Sequence, residues 1–410
     1  MTKFRQLPVV IHHRLLSATI REMNSFVSFA LTGIAVFATS FVCGHQSKRT
    51  NCHDPSHITL LDGLRAVLAC SVMTFHYLSV LVLIRTGTFA PLDIEQPWKL
   101  LGAWSVPMFF CITAFLFTKK AMSLSSNFIV WSKLYIGRVF RLMPMATIAA
   151  ALLCLVLADF NNGIHFRVPF STVLSIATAS LTKIPPTPEN FPMEWRWRMA
   201  ATPHWSLHYE WLFYLSLPAM SLLIKKKTNW IYLVSSALVL VFLVDNLAHD
   251  LSKSFHITPF LSGIASALLE RRAKEWSVLR NPLVPLVTFA LIITSAYTGK
   301  QELIFMLSNT ILMLCVIGNN PGLHWLRDPR LITLGEASFG IYIFHGIIQV
   351  GAIAMFGGYS TLSQWPFLAI LLWIVLQVAI VCLTSRLANK YVERRWIDIG
   401  YRIISKLDKH

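Results

Sequence analysis

Residues 62–84 read DGLRAVLACSVMTFHYLSVLVLI, and this stretch decides the fold. It is long and apolar enough to cross a bilayer as an α-helix, which takes about 20 mostly apolar residues. It also carries Arg65 near one end and His76 well inside. At about 100° per residue, their spacing brings both side chains to nearly the same helix face, roughly 16 Å apart along the axis. Ionisable groups at membrane depth are costly and rare, so the pair is a candidate functional site. The alternative is a snorkelling arginine and a structural histidine bonded to a neighbouring helix.

The rest of the chain has the same membrane character. Hydrophobic residues make up 55% of it and charged residues 13%, and the mean hydropathy is +0.58. This composition predicts an all-α, polytopic membrane helix bundle rather than a soluble domain. We predict about ten core transmembrane helices, at residues 60–84, 100–118, 142–158, 205–224, 229–245, 257–270, 283–298, 302–318, 332–356 and 366–386.

The charge pattern predicts the orientation of these spans. The net charge is +17, and Lys and Arg lie in short clusters between apolar segments. Most of them fall on one side if the spans alternate, with residues 119–141 and 386–410 both on that side. The positive-inside rule makes this side cytoplasmic and places Arg65 toward it, with His76 deeper. We expect a multi-pass membrane protein. Its expected partners are membrane lipids and an anionic cytosolic ligand, and not nucleic acid.

We divide the chain into three parts. Residues 1–56 form a basic N-terminal segment with a hydrophobic helix at 25–43, residues 57–397 form the core, and residues 398–410 form a basic cytoplasmic tail. The 25–43 helix is either an eleventh span with its N-terminus outside, a re-entrant or surface helix, or a signal-like segment. We favour an N-terminal appendage outside the site. The long segment 159–203 is either an outward-facing lid or acceptor-binding element, or a plain connector.

Two arginines follow each other at helical spacing in GRVFRLMP, residues 137–144. Arg138 and Arg141 are three residues apart and share a helix face at the cytoplasmic boundary, with Lys133 just upstream. Arginine clusters bind phosphate through paired, charge-assisted hydrogen bonds. The pattern indicates either a site for a nucleotide-bearing donor or an anchor on lipid phosphate.

A carboxylate opens another span in HWSLHYEWLFYL, residues 204–215. Ser206, Glu210 and Tyr214 are four residues apart and line one stripe of a helix. A carboxylate just inside a span needs a partner. Glu210 either orients or shares a proton with His76, as acid–base chemistry requires, or belongs to a buried structural ion pair.

A second intramembrane histidine lies in SFGIYIFHG, residues 338–346, where Tyr342 and His345 are three residues apart. His345 either binds a sugar hydroxyl, relays protons or bonds a neighbouring helix. The seven cysteines form no C-x-x-C and predict neither a disulfide framework nor a metal site. The chain contains no P-loop, G-x-G-x-x-G, G-x-S-x-G or H-E-x-x-H motif.

In this order, the segments resemble the type-3 family of membrane acyltransferases, which includes bacterial polysaccharide O-acetyltransferases. The resemblance runs from about residue 57 to 397 and rests on LLDGLRAVLACSVMTFH, SVPMFFCITAFLF, GRVFRLMP, WSLHYEWLFYL, SFGIYIFHG and YVERRW. It implies an O-acyltransferase that moves an acyl group, expected to be acetyl, to a hydroxyl of a carbohydrate or glycoconjugate, such as a lipopolysaccharide or exopolysaccharide. Acetyl-CoA is then a co-substrate, and no bound cofactor is implied. The resemblance also implies a location in a bacterial inner (plasma) membrane.

The resemblance also implies roles for individual residues. His76, Arg65 and Glu210 become the catalytic candidates. His76 is expected to act as general base, either directly or through an acyl-histidine relay. Glu210 would orient the imidazole or hold its proton, and Arg65 would stabilise developing negative charge or hold donor phosphate.

The same resemblance assigns binding roles. Arg138 and Arg141, with Lys133, are expected to bind acyl-CoA. The residues expected to bind the acceptor or support the site are Trp205, Ser206, Tyr214, Tyr342 and His345.

Two positions depart from the family pattern. The second span usually reads F-F-x-x-S-G-F, and here Thr113 and Ala114 replace Ser-Gly. The closing element usually reads E-R-P, and here Arg395 stands at the proline position. We expect the first change to affect helix packing and the second to affect the path of the C-terminal helix.

Two other classes of function compete with this interpretation. A proton-coupled secondary transporter would use Arg65, His76 and Glu210 as a relay and would move substrate without consuming acyl-CoA. A non-catalytic membrane scaffold would leave the intramembrane ionisable groups without a role.

Overall fold

The described part of the chain is helical throughout its regular elements. The computed structural model describes residues 27–44, 58–86, 98–123, 128–159, 170–179, 181, 204–224, 254–298 and 301–407. The α-helices are α1 (Val27–Cys43), α2 (Thr59–Thr86), α3 (Trp98–Ser123), α4 (Phe128–Asp159), α5 (Phe170–Ala177), α6 (His204–Ile224), α7 (Ser254–Glu275), α8 (Leu283–Thr298), α9 (Gln301–Ile317), α10 (Pro329–Glu336), α11 (Ser338–Met355), α12 (Tyr359–Leu362), α13 (Phe367–Ala388) and α14 (Arg394–Leu407). Short 3₁₀ helices occupy Ser277–Arg280 and Pro321–Arg327.

Five described helices are long and apolar enough to cross a membrane, namely α2, α3, most of α4, α11, and α13 continued to Lys406. A sixth is added if α9 and Pro321–Arg327, which are bent by 74°, form one broken span. The class of membrane helix bundle is therefore confirmed, but the described residues do not reach the predicted number of ten. The predicted span at 229–245 lies outside them.

The central element is α2, which is buried along nearly its whole length. It packs against α3, α10, α11 and the 3₁₀ segment Pro321–Arg327. Two of these contacts need glycine. A Cβ on Gly63 would overlap the Leu326 carbonyl oxygen, and one on Gly335 would overlap the Asp62 carbonyl oxygen. Close backbone approach of this kind is how small residues hold membrane helices together, and it fixes the site-bearing helix α2 firmly in the bundle.

The N-terminal hydrophobic helix α1 lies antiparallel to α2. At its start, the Ser28 hydroxyl accepts a hydrogen bond from Arg85 at the end of α2, at 2.9 Å. At its other end, the Cys43 carbonyl accepts one from Arg386 of α13, at 2.7 Å. If α2 begins on the cytoplasmic side, this pairing directs the N-terminus of α1 outward. None of the cavity-lining residues described below belongs to α1.

Two predicted helix boundaries are wrong. The span predicted at 332–356 is divided into α10 and α11, because Ala337 lies between them with φ −91° and ψ 4°, outside the helical region. The span predicted at 142–158 begins earlier, since α4 starts at Phe128 and has no helix-breaking proline before Pro144. The arginines of GRVFRLMP therefore lie well inside a long helix, which agrees with the shared helix face predicted for them.

The C-terminal helices α13 and α14 form one continuous helix. A π-helical turn at Asn389–Glu393 joins α13 to α14 without a break, so that Phe367–Lys406 is continuous over 40 residues. Arg395, at the position where the family usually has proline, allows this continuation because it keeps a backbone N–H and leaves the helix free of a ring clash. Single π turns occur frequently at functional sites.

The other departure from the family pattern also shows in the packing. Ala114 of α3 is fully buried and faces Gly263 of α7. A Cβ on Gly263 would overlap the Cys111 carbonyl oxygen and the Ala114 side chain. The space that glycine usually leaves on the second span is here supplied by a glycine on its partner helix.

Candidate active site

A cavity of about 100 Å³ lies among α2, α3, α4, α6 and α11. Its charged and polar lining includes Arg65, Arg138, Arg141, Ser206, Glu210 and Tyr342. The remaining wall is largely apolar and includes several phenylalanines, Phe109 and Phe117 among them. The cavity thus joins a strongly cationic region to an aromatic one inside a membrane helix bundle.

The cavity-facing arginines are held in different ways. The Arg138 guanidinium lies 4.5 Å from the centroid of the Phe117 ring and 5.9 Å from that of Tyr214. Stacking of this kind keeps an arginine in place without neutralising it. The Arg141 Nε lies 3.4 Å from the Glu393 carboxylate. Its side chain is thus held from one side while it also lines the cavity.

One stripe of α6 supplies polar groups to the cavity, because Ser206, Glu210 and Tyr214 all line it. The Tyr214 hydroxyl donates to Glu210 Oε2 at 2.8 Å. The Ser206 hydroxyl lies 2.8 Å from the Tyr342 hydroxyl of α11, and either oxygen can be the donor. The bond between Ser206 and Tyr342 connects α6 to α11, and the bond from Tyr214 gives the Glu210 carboxylate a defined partner.

A pair of histidine rings lies beyond the cavity. The centroids of His76 on α2 and His345 on α11 are 4.9 Å apart, with planes inclined by 44°. His345 Nδ1 lies 2.9 Å from the Ile341 carbonyl oxygen. The Tyr342 ring lines the cavity and its centroid lies 6.4 Å from that of His345. Tyr342 therefore stands between the cationic cavity and the histidine pair.

The structure brings together most of the residues named from the sequence, but in two groups. Seven of them line the cavity, whereas His76 and His345 form the separate pair. Trp205 packs edge-on against Tyr209, with ring centroids 6.2 Å apart, and is not among the cavity-lining residues. Lys133 is half-buried on α4 and does not line the cavity either.

Glu393 belongs to the motif YVERRW, but no role is predicted for it from the sequence. Glu393 is 2% exposed. Besides its ion pair with Arg141, its carboxylate accepts a hydrogen bond from Asn389 Nδ2 at 2.9 Å. Asn389 also donates to the Glu336 carbonyl oxygen at 2.9 Å. The signal in the sequence was a carboxylate among the basic residues that follow the last span. This signal does not identify its partner Arg141, which lies far away in the chain.

Within the described ranges, no group of three or more His, Cys, Asp or Glu side chains has a geometry that could hold a metal ion. The six cysteines in these ranges are free thiols. The titratable groups of the site are therefore histidine, glutamate and tyrosine, together with the arginines that surround them.

The structure thus combines a membrane helix bundle, a cationic cavity and a neighbouring pair of histidines. Comparison with known proteins gives the family. The sequence model of a family described as "Acyltransferase domain" matches residues 58–385. The chain belongs to this family of type-3 membrane acyltransferases, and it is therefore a transferase of acyl groups.

A curated relative covers nearly the same region. Nodulation protein 10 of Rhizobium leguminosarum bv. viciae is 26% identical over 367 residues, which are 82% of this chain and 92% of that protein. No solved structure gives a significant match.

Proposed function

We propose that this protein transfers an acyl group, in particular acetyl, from cytosolic acyl-CoA to a hydroxyl of a carbohydrate or glycoconjugate. The donor would enter from the cytoplasmic face of a bacterial inner membrane, and the acceptor from the opposite face. The observation that carries the proposal is the position of the cationic cavity, which ends one helical turn of α11 before the histidine pair.

The lining of the cavity suits both parts of acyl-CoA. Arg65, Arg138 and Arg141 outnumber the one lining carboxylate, Glu210. Guanidinium groups bind phosphate with charge-assisted, often bidentate hydrogen bonds, so the nucleotide phosphates are expected here. The phenylalanines of the wall suit the less polar pantetheine arm, which would extend past Tyr342 toward His76.

The chemistry assigns His76 as general base. It removes the proton of the acceptor hydroxyl while the oxygen attacks the thioester carbonyl. The C–O bond forms, the C–S bond breaks, and the proton passes from the imidazolium to the departing CoA thiolate. Arg65 and the Tyr214-bonded Glu210 act on the donor side, where Arg65 offsets negative charge that develops during transfer.

The remaining predicted residues have supporting roles in this proposal. Ser206 and Tyr342, joined by their 2.8 Å hydrogen bond, shape the passage between cavity and histidines. Trp205 packs behind this stripe, and Lys133 lies on the same helix as the paired arginines, where it attracts the anionic donor or lipid headgroups.

The test uses membranes containing the wild-type protein or His76→Ala, supplied with acetyl-CoA labelled in the acetyl group and with glycan acceptors. Label on the glycan and release of free CoA are followed together. We expect both in wild type and neither in His76→Ala, since general-base catalysis contributes about 10²–10⁴-fold. His324→Ala, which removes an exposed histidine outside the cavity lining, serves as the matched control and retains transfer.

Arg138→Ala tests the donor site in the same membranes. We expect the KM for acetyl-CoA to rise about tenfold or more, because hydrogen bonds to charged groups are worth about 1.5–3 kcal/mol. Arg272→Ala, which removes an exposed arginine, is expected to leave it unchanged. Transfer by His76→Ala at the wild-type rate overturns the base assignment. Substrate flux across the membrane without CoA release favours the transporter.

A further inference from the structure

His345 is a buried histidine whose hydrogen bonding leaves one ring nitrogen as a hydrogen-bond acceptor. It is 1% exposed and lies on α11, three residues after the cavity-lining Tyr342. Residues three apart share a helix face, so α11 presents Tyr342 to the cavity and His345 to the region beyond it.

The backbone determines the tautomer of His345. Its Nδ1 lies 2.9 Å from the Ile341 carbonyl oxygen. A carbonyl oxygen can only accept a hydrogen bond, so Nδ1 carries the hydrogen. In a neutral imidazole the other nitrogen then has no hydrogen, and Nε2 of His345 is a hydrogen-bond acceptor.

This acceptor is buried without a partner. Nε2 of His345 has no hydrogen-bond partner among the residues that the structure describes. A buried polar atom left unpaired costs about 1–3 kcal/mol, so it needs an explanation, and a role in the reaction is one. The ring that lies beside it is His76, with centroids 4.9 Å apart.

We infer that His345 is the positioning residue for His76. A hydrogen bond between the two rings is not made in the arrangement of the structure; when substrates bind, the His76 ring turns so that Nε2 of His345 accepts its N–H. The other nitrogen of His76 is then unprotonated and directed at the acceptor hydroxyl. After His76 takes the hydroxyl proton, the same bond stabilises the imidazolium until that proton reaches the CoA thiolate. A base held by a third group in this way is the general arrangement of catalytic triads.

Glu210, the group expected from the sequence to orient His76, is engaged elsewhere. Its carboxylate accepts the Tyr214 hydroxyl at 2.8 Å and lines the donor cavity with the arginines. A neutral histidine rather than a carboxylate therefore stands beside the base, and the centre needs no buried negative charge at that depth.

The inference rests on the proposed function and is tested by two substitutions at one position. In His345→Asn, the amide NH₂ can keep the bond to Ile341, but no atom remains at the place of Nε2. In His345→Gln, the longer side chain can place an amide oxygen near that position. We expect kcat for acetyl transfer to fall about 10²-fold in the Asn variant, as for other partners that orient a reactive group. The Gln variant keeps at least about a tenth of wild-type kcat.

The donor site provides the internal control. The KM for acetyl-CoA stays at the wild-type value in both variants, because the cavity arginines are untouched. Three outcomes would each overturn the role of His345. These are an Asn variant with wild-type kcat, a change confined to KM, and a Gln variant as slow as the Asn variant. Wild-type acetyl-CoA binding by the Asn variant shows that a loss of kcat does not come from misfolding.

A measurement that does not depend on enzymatic activity checks the hydrogen bond itself. Solid-state NMR of the protein labelled with ¹⁵N-histidine identifies the His345 ring as the signals lost in His345→Asn. Protonated Nδ1 with unprotonated Nε2 supports the assignment, and the opposite tautomer overturns it. If wild type transfers no acetyl group, the proposed function fails and the role of His345 with it. If the wild-type protein transfers acetyl groups and the Asn variant does so at the same rate, only the role of His345 is overturned.

Discussion

Glu393 shows how much one buried carboxylate can matter in a cationic site. It lies behind Arg141, 3.4 Å from Nε, with a side chain only 3% exposed. Asn389 holds its other oxygen. Removing one partner of a buried ion pair leaves an uncompensated charge, which costs more than the pair itself contributes. The carboxylate thus offsets part of the repulsion among the arginines and keeps Arg141 in one orientation.

We therefore predict that Glu393→Ala lowers the free energy of unfolding by about 2–3 kcal/mol, because Arg141 loses its counter-charge in a largely buried place. The same change weakens acetyl-CoA binding, since Arg141 no longer has a fixed orientation. Glu393→Gln keeps an oxygen for Arg141 and is expected to lose less affinity than Glu393→Ala. Thermal unfolding in detergent and equilibrium binding of acetyl-CoA measure both effects.

Glu336→Ala is the matched control for this prediction. Glu336 pairs with Arg394 at 2.7 Å, but the two side chains are 44% and 43% exposed. Exposed pairs contribute about 0–1 kcal/mol, so a small loss is expected. Equal losses in the two alanine variants would contradict the importance of burial at Glu393.

At the level of elements, the bundle depends on helices that approach at glycine. Gly263 of α7 lies against the Cys111 carbonyl oxygen of α3, and a Cβ there would overlap it. By contrast, a Cβ on Gly137 of α4 would meet nothing within 4 Å. Two glycines inside helices thus have opposite packing requirements, and the same substitution distinguishes them.

Gly263→Ala is expected to destabilise the protein by about 1–3 kcal/mol, because α3 and α7 must separate to admit the methyl group. Gly137→Ala is expected to stabilise it by about 0.5–1 kcal/mol, since alanine costs less entropy than glycine in a helix. Thermal unfolding of both variants measures the sign. Shifts of the melting temperature in the same direction would show that the α3–α7 contact is looser than described.

At the scale of the whole molecule, cationic groups gather at one end of the bundle. Lys119 of α3 and Lys274 of α7 share the Glu270 carboxylate, each at 2.9 Å. The same end receives the continuous helix Phe367–Lys406, which at 1.5 Å per residue is about 60 Å long, twice the hydrocarbon thickness of a bilayer. Its last part, α14, packs against α4. Two cavity-lining arginines, Arg138 and Arg141, lie on α4, the helix against which α14 packs.

This arrangement predicts a single orientation in the membrane. In a variant in which all seven cysteines are replaced by serine, we expect Ser277→Cys to react with an impermeant maleimide only after the cytoplasmic face is opened. Ser360→Cys, which lies between α11 and α13 at the other end, is expected to react from outside in intact cells. Both positions are exposed. Labelling of the two cysteines from the reversed sides would contradict the proposed cytoplasmic entry of acyl-CoA.

The sequence by itself determined the class of fold and much of the site. Apolar stretches of sufficient length predicted helices, and helical spacing placed Arg138 with Arg141 and put Ser206, Glu210 and Tyr214 on one stripe. These are local properties, because a helix repeats every 3.6 residues whatever surrounds it. The ordered motifs then indicated the acyltransferase family, which the family match confirmed.

Only the tertiary structure decided which helices meet. It paired His76 with His345 and Ser206 with Tyr342, and it placed Glu393 behind Arg141. It also divided the predicted span at 332–356 where α10 crosses α2. Helices in a membrane gain little from hydrophobicity when they associate and are sorted by close packing of small residues. That packing depends on three-dimensional shape, so no periodicity along the chain reveals which distant side chains share a site.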